Sequence, residues 1–188
     1  FIEQPDGSYT PPPGITASLT QINNRYLMQE RHGNRYEFNE NLNLAEVQDP
    51  HGNTLTYAYN AQTNLQTVTS SFGSALTFDY TDDLLTSVTD NATPPRTIRY
   101  QYDADNNLTN VVDAAGFDWG IGYDDQHRIK WMKDPEEQIT IQNFYNSLGQ
   151  VTNQLSATDQ PWNFYFTGTR NVSEDPLGHQ TAYYLDDK

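Results

Sequence analysis

The side chains best suited to acid–base chemistry are adjacent carboxylates. They occur as Asp82 with Asp83, Asp124 with Asp125, Glu136 with Glu137, and Asp186 with Asp187. A glycosidase holds its two carboxyl groups across a cleft, roughly 5 Å or 6.5–9.5 Å apart, and one of them has a raised pKa. Sequence neighbours in polar turns are solvated and lack the apolar pocket that raises a pKa. We therefore expect no enzyme activity from these pairs.

Metal and nucleophile chemistry has equally weak signals. The four histidines, His32, His51, His127 and His179, match no HExxH motif or other metal-ligand spacing. Asp103, Asp105 and Asn107 resemble the start of a calcium loop, but Leu108 and Ala114 replace the required Gly and Glu. The chain has no Cys, no G-x-S-x-G and no phosphate loop. We expect turn residues here, with no catalytic residue, metal or cofactor.

The tryptophans Trp119, Trp131 and Trp162 allow two interpretations. Aromatic side chains of neighbouring strands stack as cross-strand pairs and supply a core. An exposed aromatic surface near Asn and Asp would instead bind sugar rings, and these three residues are then the candidate glycan contacts. The first interpretation is favoured because aromatic residues recur at a fixed phase along the chain.

That phase is set by a repeat. An aromatic residue, in five of seven repeats the second of an aromatic-x-aromatic pair, recurs at intervals of 21 or 22 residues. A regular interval of this length is the signature of a repeat architecture. These seven anchors are Phe38, Tyr59, Tyr80, Tyr102, Tyr123, Tyr145 and Phe166.

Each repeat has the pattern of a β-hairpin. Residues 54–59 alternate with period two, as a half-buried strand does, and residues 60–64 are typical turn formers. Leu65 and Val68 belong to the second strand but are three residues apart, so an ideal strand would place them on opposite faces. We therefore expect a bulge or a twist between them.

The predicted fold is all-β: consecutive antiparallel hairpins that form a curved or spiralling open sheet. Residues 1–32 form an irregular segment with a Pro-rich stretch at 11–13 and a possible first hairpin from residues 18–22 and 25–28. Residues 33–188 hold about seven repeats. The last of them is truncated after the opening strand at 181–185.

Composition excludes several classes of partner. Of the 188 residues, 25 are Asp or Glu and 10 are Lys or Arg, which gives a net charge of −15. This charge repels nucleic acid and anionic membrane surfaces. No apolar run is long enough for a transmembrane helix. The chain begins with Phe1, so we expect it to be a piece of a longer protein.

The repeat also carries a family resemblance. Aromatic-x-Tyr-Asp/Asn, a polar turn and then Leu-x-x-Val-x-Asp-x-x-Gly resembles the YD repeat of Rhs proteins. Residues 100–116 follow this pattern most closely, and residues 33–60 and 123–135 follow it well. The resemblance implies hairpins joined edge to edge into a strip, which in whole Rhs proteins spirals into a hollow shell around a toxic C-terminal domain. Similar strips form the B and C components of insecticidal toxin complexes and the barrel of teneurins.

The resemblance therefore implies a non-catalytic structural role in a secreted or cell-surface bacterial protein. The expected partners are the rest of the shell and its C-terminal toxin, and we expect the isolated chain to self-associate through its strand edges. Self-cleavage is not carried onto these residues, because none of them matches the plug segment of whole Rhs proteins and residues 175–178 are an ordinary turn between repeats. The alternative is a repeat module that binds glycans or a protein.

Overall fold

The computed structural model describes residues 1–185, and these residues form an all-β fold without helices. Within them lie 19 strands. The strands are β1 (Ile2–Glu3), β2 (Tyr9–Thr10), β3 (Ser18–Ile22), β4 (Arg25–Gln29), β5 (Arg35–Phe38), β6 (Leu44–Gln48), β7 (Thr54–Tyr59), β8 (Leu65–Ser70), β9 (Ala75–Thr81), β10 (Leu84–Asp90), β11 (Thr97–Tyr102), β12 (Leu108–Val112), β13 (Asp118–Tyr123), β14 (Ile129–Lys133), β15 (Ile139–Tyr145), β16 (Val151–Ser156), β17 (Pro161–Thr167), β18 (Arg170–Glu174) and β19 (Gln180–Tyr184).

The chain divides into two compact units, Phe1–Thr97 and Ile98–Lys188. In the first unit, β3 to β10 pair in sequence order, each antiparallel to the next, and β1 pairs with β2. In the second unit, β11 to β19 pair in the same way. The predicted class, consecutive antiparallel hairpins in an open sheet, is confirmed within each unit.

The N-terminal segment contains two hairpins. One joins β1 to β2, and the other joins β3 to β4 through the two-residue turn Asn23–Asn24. Both turn residues have positive φ, as a type I′ hairpin turn requires. At the other end, β19 is the strand expected to open the truncated repeat. The last residues of that repeat, 186–188, lie outside the described residues.

One five-residue loop recurs throughout the described chain. Its first residue donates its backbone N–H to the carbonyl of the fifth, and its fourth residue donates to the carbonyl of the first. The fourth residue has positive φ and is Gly in several loops, including Gly52 and Gly116. The same loop closes the hairpins and joins one hairpin to the next. Two such loops and two strands of five or six residues account for the interval of 21 or 22 residues.

The side chain of the first loop residue explains why Asp and Asn open most of these loops. In the loop 60–64, Asn60 Oδ1 accepts from the backbone N–H groups of Gln62 and Asn64 at 3.0 and 2.9 Å. Asp113 makes the same two bonds to Ala115 and Phe117. These side chains occupy donors that the tight turn would otherwise leave unpaired. The recurring Asp of the sequence pattern is therefore a loop residue.

Replacing Asn60 with Ala should destabilise the chain, because two backbone N–H groups lose their acceptor. We expect the free energy of unfolding to fall by about 1–2 kcal/mol. The matched change Asn60→Asp keeps the Oδ1 acceptor and should have a much smaller effect. Urea titrations of both variants measure the difference. Equal stability of Asn60→Ala and the natural chain would contradict the role of the side chain.

Candidate functional site

The paired strands give each unit two chemically different faces. Cross-strand partners share a face of the sheet, so the register decides the composition of each face. We call one the aromatic face; in the first unit it includes Tyr36, Val47, Leu55, Tyr57, Val68, Leu76, Phe78 and Val88, and in the second Tyr100, Val111, Trp119, Ile121, Met132, Ile141, Trp162 and Phe164. We call the opposite side the polar face. It carries residues such as Thr56, Thr67, Asn110 and Lys133.

The bulge predicted between Leu65 and Val68 is present. Tyr59 pairs with Leu65 and Ala58 with Thr67, so Gln66 is the inserted residue. The insertion returns Leu65 to the face of Val68. The register shifts at the equivalent position beside the anchors Phe38, Tyr80, Tyr102, Tyr123 and Tyr145. The bulge therefore keeps both apolar positions of the second strand on the aromatic face.

The last hairpin is an exception to this register. The sequence pattern aligns Val172 with Leu65, but β17 and β18 pair without a shift, and Val172 lies opposite Tyr165. Because no residue is inserted, strict alternation places Asn171 opposite the anchor Phe166. Val172 therefore does not take the structural position that Leu65 has in its hairpin.

The anchor tyrosines also link consecutive hairpins. The Tyr59 hydroxyl donates to the carbonyl of Leu44 at 2.8 Å, Tyr123 to Leu108 at 2.9 Å, and Tyr145 to Ile129 at 2.7 Å. Each acceptor belongs to the bulged strand of the preceding hairpin. We call this bond the tyrosine latch. The sequence analysis did not predict this bond. The available signal was that five of the seven anchors are Tyr, which has a hydroxyl group, and not Phe.

Over β6 to β19, no apolar layer of the described residues covers the aromatic face within its own unit; over β3 to β5, Phe1 and Tyr9 contact it. Among the described residues, Val172 at 8% exposure is the single buried apolar side chain. Trp119 and Trp162 remain 44% and 40% exposed. A sheet with this much accessible aromatic surface has the character of a surface that contacts other molecules.

Residues 38–75 and 78–118 match the family model of the RHS repeat. These segments are RHS repeats. The resemblance predicted from the aromatic spacing is confirmed, and the RHS repeats correspond to hairpins that carry the bulge. No match was found among curated protein sequences.

Several solved structures are similar to this chain at low identity. The crystal structure of TcdB2-TccC3-Cdc42 matches 84% of this chain at 12% identity and a TM-score of 0.49. The Photorhabdus luminescens Tc holotoxin pore matches 87% at 11% identity and 0.41. This chain spans 12 and 14% of those two chains. A porin-like protein from Bacteroides uniformis matches 94% of this chain, which spans 79% of it, at 12% identity and 0.39. No activity or partner follows from these likenesses.

The three candidate glycan contacts do not form one site. Trp119 and Trp162 lie on the aromatic face of the second unit, on strands β13 and β17. Strands β14 to β16 lie between them, a separation of roughly 19 Å at the usual strand spacing. Trp131 lies on the polar face, because it pairs with Gly122 and not with Ile121. Any sugar site therefore involves these tryptophans one at a time.

Trp131 lines a groove on the polar face of the second unit. The cavity measures about 650 Å³ and runs across β12 to β14. It exists because Gly120 and Gly122 alternate on this face of β13 and have no side chains. The Trp131 indole fills part of the gap, since a Cβ at Gly122 would lie 2.0 Å from its Cε2 atom. Glycine in a strand interior marks such a close approach.

Polar and charged side chains surround this indole. Asn110 donates to Asp118 at 2.9 Å, and His127 Nδ1 lies 3.0 Å from Asn107 Oδ1. Lys133 Nζ lies 5.2 Å from the centroid of the Trp131 ring, within cation–π range, and 2.9 Å from Glu137 Oε2. The carboxylates of the lining are Asp103, Asp105, Asp118, Asp124, Asp125 and Glu137.

The carboxylate pairs singled out in the sequence lie in turns. Asp82 and Asp83 form a two-residue hairpin turn, while the pairs at 124–125 and 136–137 lie in five-residue loops; the pair at 186–187 is outside the described residues. The Arg128 guanidinium beside Asp124 lowers the pKa of that carboxyl to about 2. Every Asp pKa with a resolved shift is lowered, which is opposite to the shift that a general acid requires.

The residues of the calcium-like motif also have a structural explanation. Asp103 Oδ1 accepts from the backbone N–H groups of Asp105 and Asn107, both at 2.9 Å, so it opens a five-residue loop. Over residues 1–185, no group of three or more His, Asp or Glu side chains is arranged to hold a metal ion. The same residues contain no helix able to cross a membrane.

Proposed function

We propose that this chain is a non-catalytic segment in the wall of a hollow shell, formed by a longer bacterial Rhs protein around its own C-terminal toxin. The observation that carries the proposal is the aromatic face, which is uncovered over β6 to β19. A wall has to be stable as a sheet, with one face against its contents and one face against water. The RHS repeats, the bulges and the tyrosine latches supply such a sheet without a thick core.

The aromatic face is the side that we assign to the contents. Exposed aromatic surface of this extent invites aggregation when it faces water, and enclosure removes that risk. The aromatic face is able to cover apolar side chains that an enclosed toxin presents. The polar face then faces the solvent, where a net charge of −15 keeps a large secreted or surface-bound particle soluble.

The role as part of a shell wall also implies contacts with the neighbouring parts of that wall. The adjoining repeats of the shell are expected to pair with the strand edges of this segment, since an edge strand presents unpaired backbone groups. In isolation, the same edges are the expected route of self-association.

Hydroxyl-radical footprinting of the parent protein, expressed with and without its C-terminal toxin domain, tests the assignment. We expect Trp119 and Trp162 to be oxidised several-fold more slowly when the toxin is present, because the toxin covers the aromatic face. Trp131 and Tyr165 on the polar face are the internal controls and should be labelled equally in both proteins. Equal oxidation of Trp119 and Trp162 with and without the toxin would overturn the proposal.

A further inference from the structure

The polar face becomes apolar in the last three strands of the described chain, β17 to β19. Because β17 and β18 pair without a bulge, Val172 lies on this face, opposite Tyr165 on one side and Ala182 on the other. Tyr184 comes two residues after Ala182 on β19, so it shares the same face. We call Tyr165, Val172, Ala182 and Tyr184 the tyrosine patch.

The two tyrosines of this patch are open to solvent. Tyr165 is 47% exposed and Tyr184 is 76% exposed, whereas Val172 on the strand between them is only 8% exposed. Earlier hairpins carry polar residues on this face, such as Thr56 and Asn110. Exposed apolar surface with a polar surround marks a site of protein contact, and Tyr is enriched in such contacts.

One cation and one anion flank the patch. Strict alternation along β18 places Arg170 and Glu174 on the same face as Val172, one on each side of it. The Gln180 amide donates to the Glu174 carboxylate at 2.7 Å and holds it on this face. In β17 to β19, no other residue of the polar face is charged. The patch and its flanks are thus neutral in a chain whose net charge is −15, and few charges are typical of the centre of an interface.

The order of these charges selects the partner. A two-fold axis in the contact plane, perpendicular to β18, would place Arg170 of each copy opposite Glu174 of the other. Both ion pairs then form at once, on either side of the apolar centre. Two-fold interfaces bring the same patch together from both subunits, and opposite charges across an interface fix its orientation. The arrangement is therefore complementary to itself, which favours a second copy of this chain over an acidic or a basic partner.

We propose that two copies of this chain form a two-fold dimer through the tyrosine patch, with their polar faces in contact. A patch of this size is smaller than a standard stable interface, so we expect a weak dimer. The inference goes beyond the containment role and does not depend on it, since the patch lies on the face opposite to the one assigned to the toxin. Two shell walls with this patch would join outer face to outer face.

Sedimentation equilibrium of the 188-residue chain over a range of concentrations tests the proposal. We expect a reversible equilibrium between monomer and dimer. Arg170→Glu and Glu174→Arg should each weaken dimerisation at least tenfold, because each change brings like charges together on both sides of the patch. The control Arg99→Glu makes the same change of charge on the polar face of β11 and should leave dimerisation unchanged.

A mixture of the two charge-reversal variants separates a lost contact from a lost fold. In a mixed dimer, the two carboxylates of the Arg170→Glu chain face the two guanidinium groups of the Glu174→Arg chain. The equimolar mixture should therefore dimerise about as strongly as the natural chain, although neither variant does so alone. A natural chain that stays monomeric, equal weakening by Arg99→Glu, or a mixture that does not dimerise would each overturn the proposal. Association that both charge reversals leave unchanged would also overturn it and would point to the strand edges instead.

Discussion

A chain in which three latch tyrosines are changed, Tyr59→Phe, Tyr123→Phe and Tyr145→Phe, should unfold with a free energy about 3 kcal/mol lower than the natural chain. Each change removes one hydroxyl that donates to a backbone carbonyl at 2.7 to 2.9 Å. A lost hydrogen bond of this kind costs about 1 kcal/mol, since the carbonyl is left with poorer partners. Sites in separate hairpins contribute nearly additively.

The aromatic rings stay in place in this variant, so packing is retained and the effect reports the hydroxyls. The matched control carries Tyr57→Phe, Tyr100→Phe and Tyr165→Phe, three tyrosines whose hydroxyls make no hydrogen bond within the described residues. Urea titration followed by far-UV circular dichroism compares the two variants. If both lose the same stability, the latches do not hold consecutive hairpins together.

Acidification below pH 4 should destabilise the chain through its loop-opening aspartates. The Asn53 amide lowers the pKa of Asp49, the Asn107 amide that of Asp103, and the Phe117 backbone N–H that of Asp113. The Arg128 side chain lowers the pKa of Asp124 to about 2. A carboxyl whose pKa is lower in the folded state stabilises the fold above its unfolded pKa of 3.8. That stabilisation is lost as the pH falls from about 4 towards 2.

Asparagine provides the appropriate comparison, because the chain itself uses it to open the same loop at Asn39, Asn60 and Asn146. We expect the variant Asp49→Asn, Asp103→Asn, Asp113→Asn and Asp124→Asn to show a flatter dependence of the urea midpoint on pH between 4 and 2. Asp105→Asn with Asp125→Asn removes charge outside the loop-opening positions and should keep the natural dependence. A fourfold variant with the natural acid profile would show that these carboxylates are not responsible.

Much of the architecture could be predicted because it depends on spacing. The interval between the anchors determines the hairpins, and the three-residue separation of Leu65 and Val68 requires the bulge that the structure contains. Spacing did not predict that the turn within a hairpin and the turn between hairpins have the same structure. Asn60–Asn64 and Asp49–Asn53 differ in sequence, yet they form one loop, because the geometry needs only an acceptor at the first position and positive φ at the fourth.

The candidate site was harder to predict, because it depends on which face a residue occupies. Trp119 and Trp131 are both strand tryptophans, but they lie on opposite faces of the sheet. Trp131 pairs with Gly122, one position along the strands from the Met132–Ile121 pair of the aromatic face. A bulge changes which face the following residues occupy, and the last hairpin has no bulge. The sequence therefore singled out the three tryptophans as one set, without indicating that Trp131 lies over Gly120 and Gly122 on the other face.

The tyrosine latch has a direction along the chain. In all three latches, the hydroxyl belongs to the later hairpin and its acceptor to the earlier one: Tyr59 to Leu44, Tyr123 to Leu108, Tyr145 to Ile129. Through these three bonds, the later hairpin is attached to the one before it. A chain emerges from the ribosome N-terminus first, so each latch forms only when the later hairpin has been synthesised. During synthesis, the most recently made hairpin therefore still lacks the latch from its successor.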